Sequence, residues 1–279
     1  MIAVTGILGA IILQFVAPVR SYIDTSRRAA LADTADTALR RMGRDVRLAL
    51  PNSVRVTTAG GVTYLELLLV RTAGRYRFEN DVSTTTGCPN GAGFDPALDV
   101  LGIGTADDCF KTIGNIPNIA QVTTNDFVVV FNLPPGTANA NAYEYPGTGG
   151  NKSQIVSATA GTGEDRIQIA NHTFTYESPG RRFFVIEGPV TYACNPAAGV
   201  GTLTRFSGYA ISAGQPAPPA GTGALLATGV TACTMEFDAS LGSEGAGLLT
   251  MSLQLSMQDS RGDTESVNLY HAIHVNNVP

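Results

Sequence analysis

What the chain lacks narrows it first. Tryptophan is absent, lysine occurs twice, histidine three times, and only 15% of the 279 residues are charged. With 31 glycines and 15 prolines, this charge-poor composition suits a loop-rich β protein better than a helical bundle. No C-x-x-C pair occurs and no cysteine stands near a histidine at metal-site spacing, which argues against zinc. No G-x-S-x-G is present to form a nucleophile elbow. His271 and His274 are three apart in one expected strand, so their side chains face opposite ways and cannot share a metal; His172 stands alone. The stretch Gly147-Thr148-Gly149-Gly150-Asn151-Lys152-Ser153 has the outline of a phosphate loop, but Asn151 replaces the glycine required before the lysine and no helix pattern follows. The residues therefore support no enzyme, no cofactor and no metal.

Four cysteines are present, Cys88, Cys109, Cys194 and Cys233, an even number that suggests two disulfides and an oxidising compartment. Four buried thiols are the alternative. Of the three possible pairings, Cys88 with Cys109 and Cys194 with Cys233 need the fewest crossings. Each closes a loop of about 20 to 40 residues and stabilises by about 3–4 kcal/mol on the chain-entropy account.

The chain divides into three parts. Residues 1–18 form a hydrophobic segment in which Gln14 is the one strongly polar side chain between residues 2 and 17. As a helix that run rises about 24 Å, slightly short of a ~30 Å hydrocarbon core. It has neither the basic start nor the small-residue cleavage site of a signal peptide. It is apolar on all sides, which fits insertion into a membrane or an assembly core rather than a surface helix. Pro18 is expected to kink the helix where the run ends.

Residues 19–50 read as an amphipathic helix. Leu31, Ala35, Ala38, Met42 and Val46 recur at spacings of three and four and draw one apolar stripe, expected to pack on the sheet that follows. Asp24 with Arg28, Asp36 with Arg40 and Arg41 with Asp45 are opposite charges four apart on the solvent side. Pro51 should stop the helix. Residues 20–55 hold eight Arg against four Asp, so this basic helix adjoins an acidic remainder. Interleaved aspartates and the lack of nearby aromatics speak against nucleic acid.

Residues 51–279 read as a β-rich head. Gly60-Gly61 between apolar runs predicts a hairpin, and the density of apolar residues over 64–70 predicts a strand covered on both faces. Further strands are predicted over 75–78, 127–133, 166–170, 182–186, 190–194, 203–211, 230–237, 248–257 and 266–275. Residues 80–111 read as irregular, the stretch from Pro134-Pro135 to Gly163 as a long exposed loop, and 213–223 as a flexible excursion whose base the second disulfide would staple. The loops at 139–151 and 213–223 are candidate contact surfaces. Asp107-Asp108 and Glu164-Asp165 offer oxygens to calcium, but without the ligand order of an EF-hand they read as solvated carboxylates. Asn171-His172-Thr173 fits a glycosylation sequon.

An apolar opening containing Thr5-Gly6-Ile7-Leu8-Gly9-Ala10-Ile11, a proline, an amphipathic continuation and a disulfide-bearing β head together resemble the type IV pilin and type II secretion pseudopilin superfamily. Within it, Pro18-Val19, Tyr22-Ile23-Asp24-Thr25, Arg27-Arg28-Ala29-Ala30-Leu31 and the run from Asp33-Thr34-Ala35-Asp36 through Leu50-Pro51-Asn52-Ser53-Val54-Arg55 are similar to MshO-type minor pilins of mannose-sensitive haemagglutinin (MSHA) pili. Leu98-Asp99-Val100-Leu101-Gly102-Ile103-Gly104 and the closing His274-Val275-Asn276-Asn277-Val278-Pro279 extend the likeness. The family's basic leader and its Phe-Thr-Leu-Ile-Glu type block are not in this chain, so no glutamate can be assigned to processing or docking. A leader preceding residue 1 would also reconcile the arginines, which by themselves place the head in the cytoplasm, with cysteines that place it outside.

The resemblance implies an α+β, pilin-like fold: a long kinked N-terminal helix, hydrophobic then amphipathic, packed on an antiparallel β-sheet head. It implies a minor pilin-like structural subunit, held in the inner membrane by a single pass with its head in the periplasm, then built into a pilus fibre or tip. Ile7, Leu8, Ile11, Ile12 and Phe15 would form the assembly surface of the helix. Partners would be other major and minor pilins, a prepilin peptidase, the pilus assembly machinery and, before assembly, membrane lipid. A J-like type II secretion pseudopilin and an adhesin-like tip module are the alternatives.

Overall fold

The computed structural model describes residues 2–79, 87–90, 93–94, 99–145, 149–240, 245–258 and 262–279, with the backbone alone for 2–21, 23, 89–90 and 93–94. The side chains of Ile7, Leu8, Ile11, Ile12, Phe15 and Pro18 lie outside the described residues. The elements are α1 (Ile2–Arg47), β1 (Arg55–Ala59), β2 (Val62–Arg75), β3 (Pro89–Asn90), β4 (Gly93–Phe94), β5 (Asp107–Lys111), β6 (Phe127–Val130), β7 (Lys152–Thr159), β8 (Arg166–His172), β9 (Arg182–Asn195), β10 (Thr202–Ser207), β11 (Thr222–Thr228), β12 (Val230–Asp238), β13 (Ala246–Gln258) and β14 (Thr264–Asn276).

The expected α+β class is corrected. Strands take 48% of the described residues, so the fold is predominantly antiparallel β. A nine-stranded sheet runs β1-β2-β9-β6-β7-β8-β5, with β10 pairing β9 and β11 pairing β10; a separate three-stranded sheet runs β12-β13-β14, and β3-β4 form a small pair. The helix is also not laid on the strands that directly follow it. Its stripe packs mainly on β13 and β14, the last two strands of the chain, because their inner rows are almost wholly aliphatic. Residues of β2, β9, β10 and β11 close the same core from the other side.

α1 is one continuous helix across residue 18. It ends at Arg47, ahead of Pro51, because the next residues pair with β2 instead: Leu50 N donates to Leu68 O at 2.8 Å and Val70 N to Leu48 O at 2.9 Å. The β1–β2 turn places Gly60 at φ 59° and Gly61 at φ 80°, the two successive positive angles that a tight hairpin matching strand twist requires. β9 joins what read as two strands, passing through Gly188 at φ 125° beside a register shift against β2. β5 and β7 fall where irregular chain was expected, and β11 begins inside the expected excursion and continues past it. β7 arises from the stretch read as a loop: Ser153 and Ile155 point inward while Gln154 and Val156 point out.

A second core lies under the far half of the large sheet. It gathers Tyr76, Phe110, Val128, Ile155, Ile167 and Phe183, with Phe110 and Phe183 edge to face at a centroid distance of 5.2 Å.

Candidate functional site

Leu31, Ala35, Ala38, Met42 and Val46, the stripe read from the sequence, are all buried, together with Leu39. They face Leu249, Met251, Leu253, Leu255, Ile273 and Val275 in one cluster. Packing is close where the helix has no side chain: a Cβ built on Gly43 would sit 3.0 Å from Ile273 Cδ1 and 3.8 Å from His271 Nε2. Among the described side chains N-terminal to Leu31, none is buried by the head. Tyr22, Thr25, Ser26, Arg28, Ala29 and Ala30 are exposed. At this exit lies a cleft of about 640 Å³, lined by Ala30, Leu31 and Thr34 of the helix, the Gly199 and Gly229 turns, and Leu255 and Thr264 at strand ends.

Two buried carboxylates fasten the helix and loops to the large sheet. Asp45 accepts from Tyr192 Oη at 2.7 Å and from Arg205 Nε at 2.8 Å. Burial, and then the Asp45 charge and hydrogen bond, raise Tyr192 well above the usual phenol range. Glu66, in the middle of β2, accepts from Arg55 Nη2 at 2.6 Å and from the hydroxyls of Thr191 and Tyr209, each at 3.2 Å. Arg55 also donates to the carbonyls of Ser212 and Ala213 and lies 3.6 Å over the Tyr143 ring, while Gln215 Nε2 donates to Tyr64 O at 3.0 Å. The 213–223 segment read as a flexible excursion is thus tied to the sheet at its start.

The cysteines form Cys88–Cys109 and Cys194–Cys233. The second bond does more than close a loop. Cys194 belongs to β9 and Cys233 to β12, so it couples the nine-stranded sheet to the three-stranded one. The first ties Cys88 to β5, an end strand of the large sheet, beside a buried ionic group in which Lys111 lies 3.4 Å from Asp99 and 3.6 Å from Glu164, and Arg77 pairs with Glu164.

Of the residues weighed as calcium ligands, Glu164 pairs with Arg77 and Lys111, and Asp107 and Asp165 hold neighbouring loops. Asp107 accepts from the amides of Gly102, Asp108 and Cys109. Asp165 accepts from Asn115 Nδ2 and from the amides of Ile116 and Gly161. Among the described residues, no group of three or more His, Cys, Asp or Glu side chains is placed to hold a metal. His172 Nε2 lies 2.9 Å from Gly150 O, and burial lowers its pKa. His271 lies on the helix-facing side of β14 and His274 on the exposed side.

The 139–151 stretch is not an exposed contact loop over its first part: Ala140, Asn141, Ala142 and Tyr143 are buried. Beneath them Lys152, weighed in the sequence only as the lysine of a phosphate-loop outline, is fully enclosed and donates to the carbonyls of Ala142 and Tyr145; burial lowers its pKa to about 8. Glu66 and Asp45 also went unnoticed as buried anchors. A charged residue inside an apolar run, as Glu66 is between Leu65 and Leu67, was the available signal.

No protein-family model, curated protein or solved structure matches the chain. Among the described residues no helix is long and apolar enough to cross a membrane, which overturns the expected single-pass placement in the inner membrane. The two disulfides point to an oxidising setting, extracellular or periplasmic.

Proposed function

We propose that the chain is a structural subunit of minor pilin kind that serves assembly of an MSHA-type pilus. The observation that carries this reading is that α1 extends back to Ile2 while, among its described side chains, the head buries only those from Leu31 onward. A helix longer than its own head needs offers surface to other chains, and burial of apolar helix surface between neighbours is an effective driving force for assembly. The sequence similarity of residues 18–55 to minor pilins supports the same reading, and the two disulfides fit a subunit exposed outside the cell. The subunit would contribute Ile7, Leu8, Ile11, Ile12 and Phe15 to contacts with other major and minor pilins. A prepilin peptidase and the pilus assembly machinery are its proposed processing and assembly partners.

The test is incorporation. Ile7→Asn with Ile11→Asn should remove the subunit from purified filaments while both disulfides still form. Undiminished incorporation of that variant would sink the helix-driven reading. Filaments of normal number and length after deletion of the gene would deny the subunit a role in assembly.

A further inference from the structure

β5, β8 and β7 are neighbours at one end of the nine-stranded sheet, and one register row crosses all three: Lys111 stands opposite Arg166, and Arg166 opposite Thr159. Residues directly opposite in an antiparallel pair share a face of the sheet. The row before it, Phe110, Ile167 and Ala158, belongs to the second core or packs on it, so alternation turns Lys111, Arg166 and Thr159 to the other face. There they line a cleft of about 450 Å³, together with Thr162, Glu164 and Gly87.

Two cations directly opposite one another on adjacent strands repel. Lys111 is compensated: its Nζ lies 3.4 Å from Asp99 and 3.6 Å from Glu164, and Glu164 also pairs with Arg77. Arg166 is not. It has no carboxylate partner among the described residues; Nη1 donates to Gly87 O at 3.3 Å, and Nε is buried without an acceptor. A guanidinium presents five donors in a planar fork shaped for an oxyanion, and a buried donor without an acceptor is uncommon in a folded chain. The surroundings of this fork are held firmly. Gly87 adjoins the Cys88–Cys109 bond, and the loop over 160–164, one wall of the cleft, is fixed by Asp165 accepting the Gly161 amide and Asn115 donating to the Gly161 carbonyl.

We infer that this cleft binds an acidic sugar of the uronic-acid class, its carboxylate on Arg166 and its hydroxyls toward Thr159, Thr162 and Glu164. The cleft is of ordinary size for a small-molecule site. Glu164 decides between anions. One negative charge is drawn to Arg166, whereas a doubly charged phosphate ester would bring its second charge against the Glu164 carboxylate that lines the same cleft. Sugar hydroxyls suit that carboxylate because they donate, and the exposed hydroxyls of Thr159 and Thr162 can both donate and accept. The inference does not rest on the filament reading, since it concerns the far end of the head and requires no second copy of the helix.

The test titrates the full chain with glucuronate, glucose, glucose phosphate and acetate by calorimetry, and locates the site by amide hydrogen exchange. Glucuronate should bind most tightly of the four and slow exchange over 159–164. Arg166→Gln should weaken it about tenfold, as expected for loss of a hydrogen bond to a charged group, and Arg166→Lys, which keeps the charge but not the fork, by less. Thr159→Val alters no charge and should weaken it about threefold. Without sugar, all three variants should melt close to the wild type and form both disulfides, which separates binding from stability. If Arg166→Gln does not fold, Arg166→Lys and Thr159→Val carry the same comparison. No binding of glucuronate, undiminished binding in the folded variants, glucose or acetate bound as tightly as glucuronate, or protection elsewhere than 159–164 would overturn the inference. So would tighter binding of glucose phosphate, which would assign the cleft to phosphate esters instead.

Discussion

The carboxylate of Asp45 accepts the Tyr192 hydroxyl proton in a 2.7 Å hydrogen bond and so joins the last turn of the helix to a sheet strand 147 residues further along the chain. Arg205 completes the group at 2.8 Å. Asp45→Ala strands a largely buried guanidinium and should cost about 3 kcal/mol, whereas Tyr192→Phe removes one hydrogen bond to a charged acceptor and should cost about 2 kcal/mol. Urea denaturation of the two variants ranks them; a smaller loss for Asp45→Ala would show that the helix is held without this lock.

Stability should pass through a maximum on the alkaline side. Lys152 titrates at about 8 in the fold against about 10.4 in an unfolded chain. Between those values the unfolded chain holds a proton that the folded chain has released, so stability rises with pH over about 8 to 10. Tyr192 and Tyr209 act in the opposite sense: burial first, then Asp45 and Glu66 respectively, raise their pKa values. Below about 10 both states keep those protons, and above it the unfolded chain ionises first, so stability falls. Denaturation midpoints across this range should show the rise and then the fall, and Lys152→Met should abolish the rise alone.

The two disulfides should differ in consequence more than in magnitude. Sequence separations of 21 and 39 give about 3 and about 4 kcal/mol on the chain-entropy account. Cys194→Ser with Cys233→Ser should also loosen the coupling of the two sheets, seen as faster amide exchange in β12 relative to β9. Cys88→Ser with Cys109→Ser should leave β12 unchanged. Identical exchange in the two double variants would show that non-covalent packing alone couples the sheets.

Asp165 should behave as a loop clamp rather than a cation ligand. Asp165→Ala leaves Asn115 and two backbone amides without their acceptor and should cost about 2–3 kcal/mol. Millimolar calcium or a chelator should leave the wild-type melting temperature unchanged; a calcium-dependent rise lost in Asp165→Ala would reverse the assignment.

The helix stripe offers the most direct comparison. Met42→Ala empties a buried site between helix and sheet and should cost about 2–5 kcal/mol, while Arg41→Ala, exposed on the next position, should fall within about 0.5 kcal/mol of wild type. Similar losses at both positions would mean that the stripe is not the packed face.

The parts of this fold that could be read from sequence are those governed by local period. The alternation from Leu249 to Met257 is β13, the glycine pair at Gly60-Gly61 is the β1–β2 turn, and the spacing from Leu31 to Val46 is the buried face of the helix. What period cannot reveal is the partner. Nothing near Met42 in the chain signals that its cover comes from Ile273 and Leu249, or that Cys194 and Cys233 stand in different sheets. β7 escaped notice because it opens with Lys152 and Ser153, buried polar residues on opposite faces satisfied by carbonyls that only the folded chain brings near. β11 was hidden by neighbouring prolines and by its small residues, and Gly188-Pro189 read as a break in what is one strand. Asp107 and Asp165 looked like solvated loop charges because their partners are mostly backbone amides, which leave no mark in a sequence.

That α1 is covered mainly by β13 and β14 fixes an order of events during synthesis. The helix leaves the ribosome before every strand, and the two strands that shield it leave after all the others, so its apolar stripe stays uncovered while the rest of the head is made. Contacts this distant in sequence form slowly, and a waiting apolar face is prone to wrong association. Arrival of β13 and β14 is the step that closes the core, and a chain truncated before Thr264 would present the quality-control machinery with a helix that has lost its principal cover.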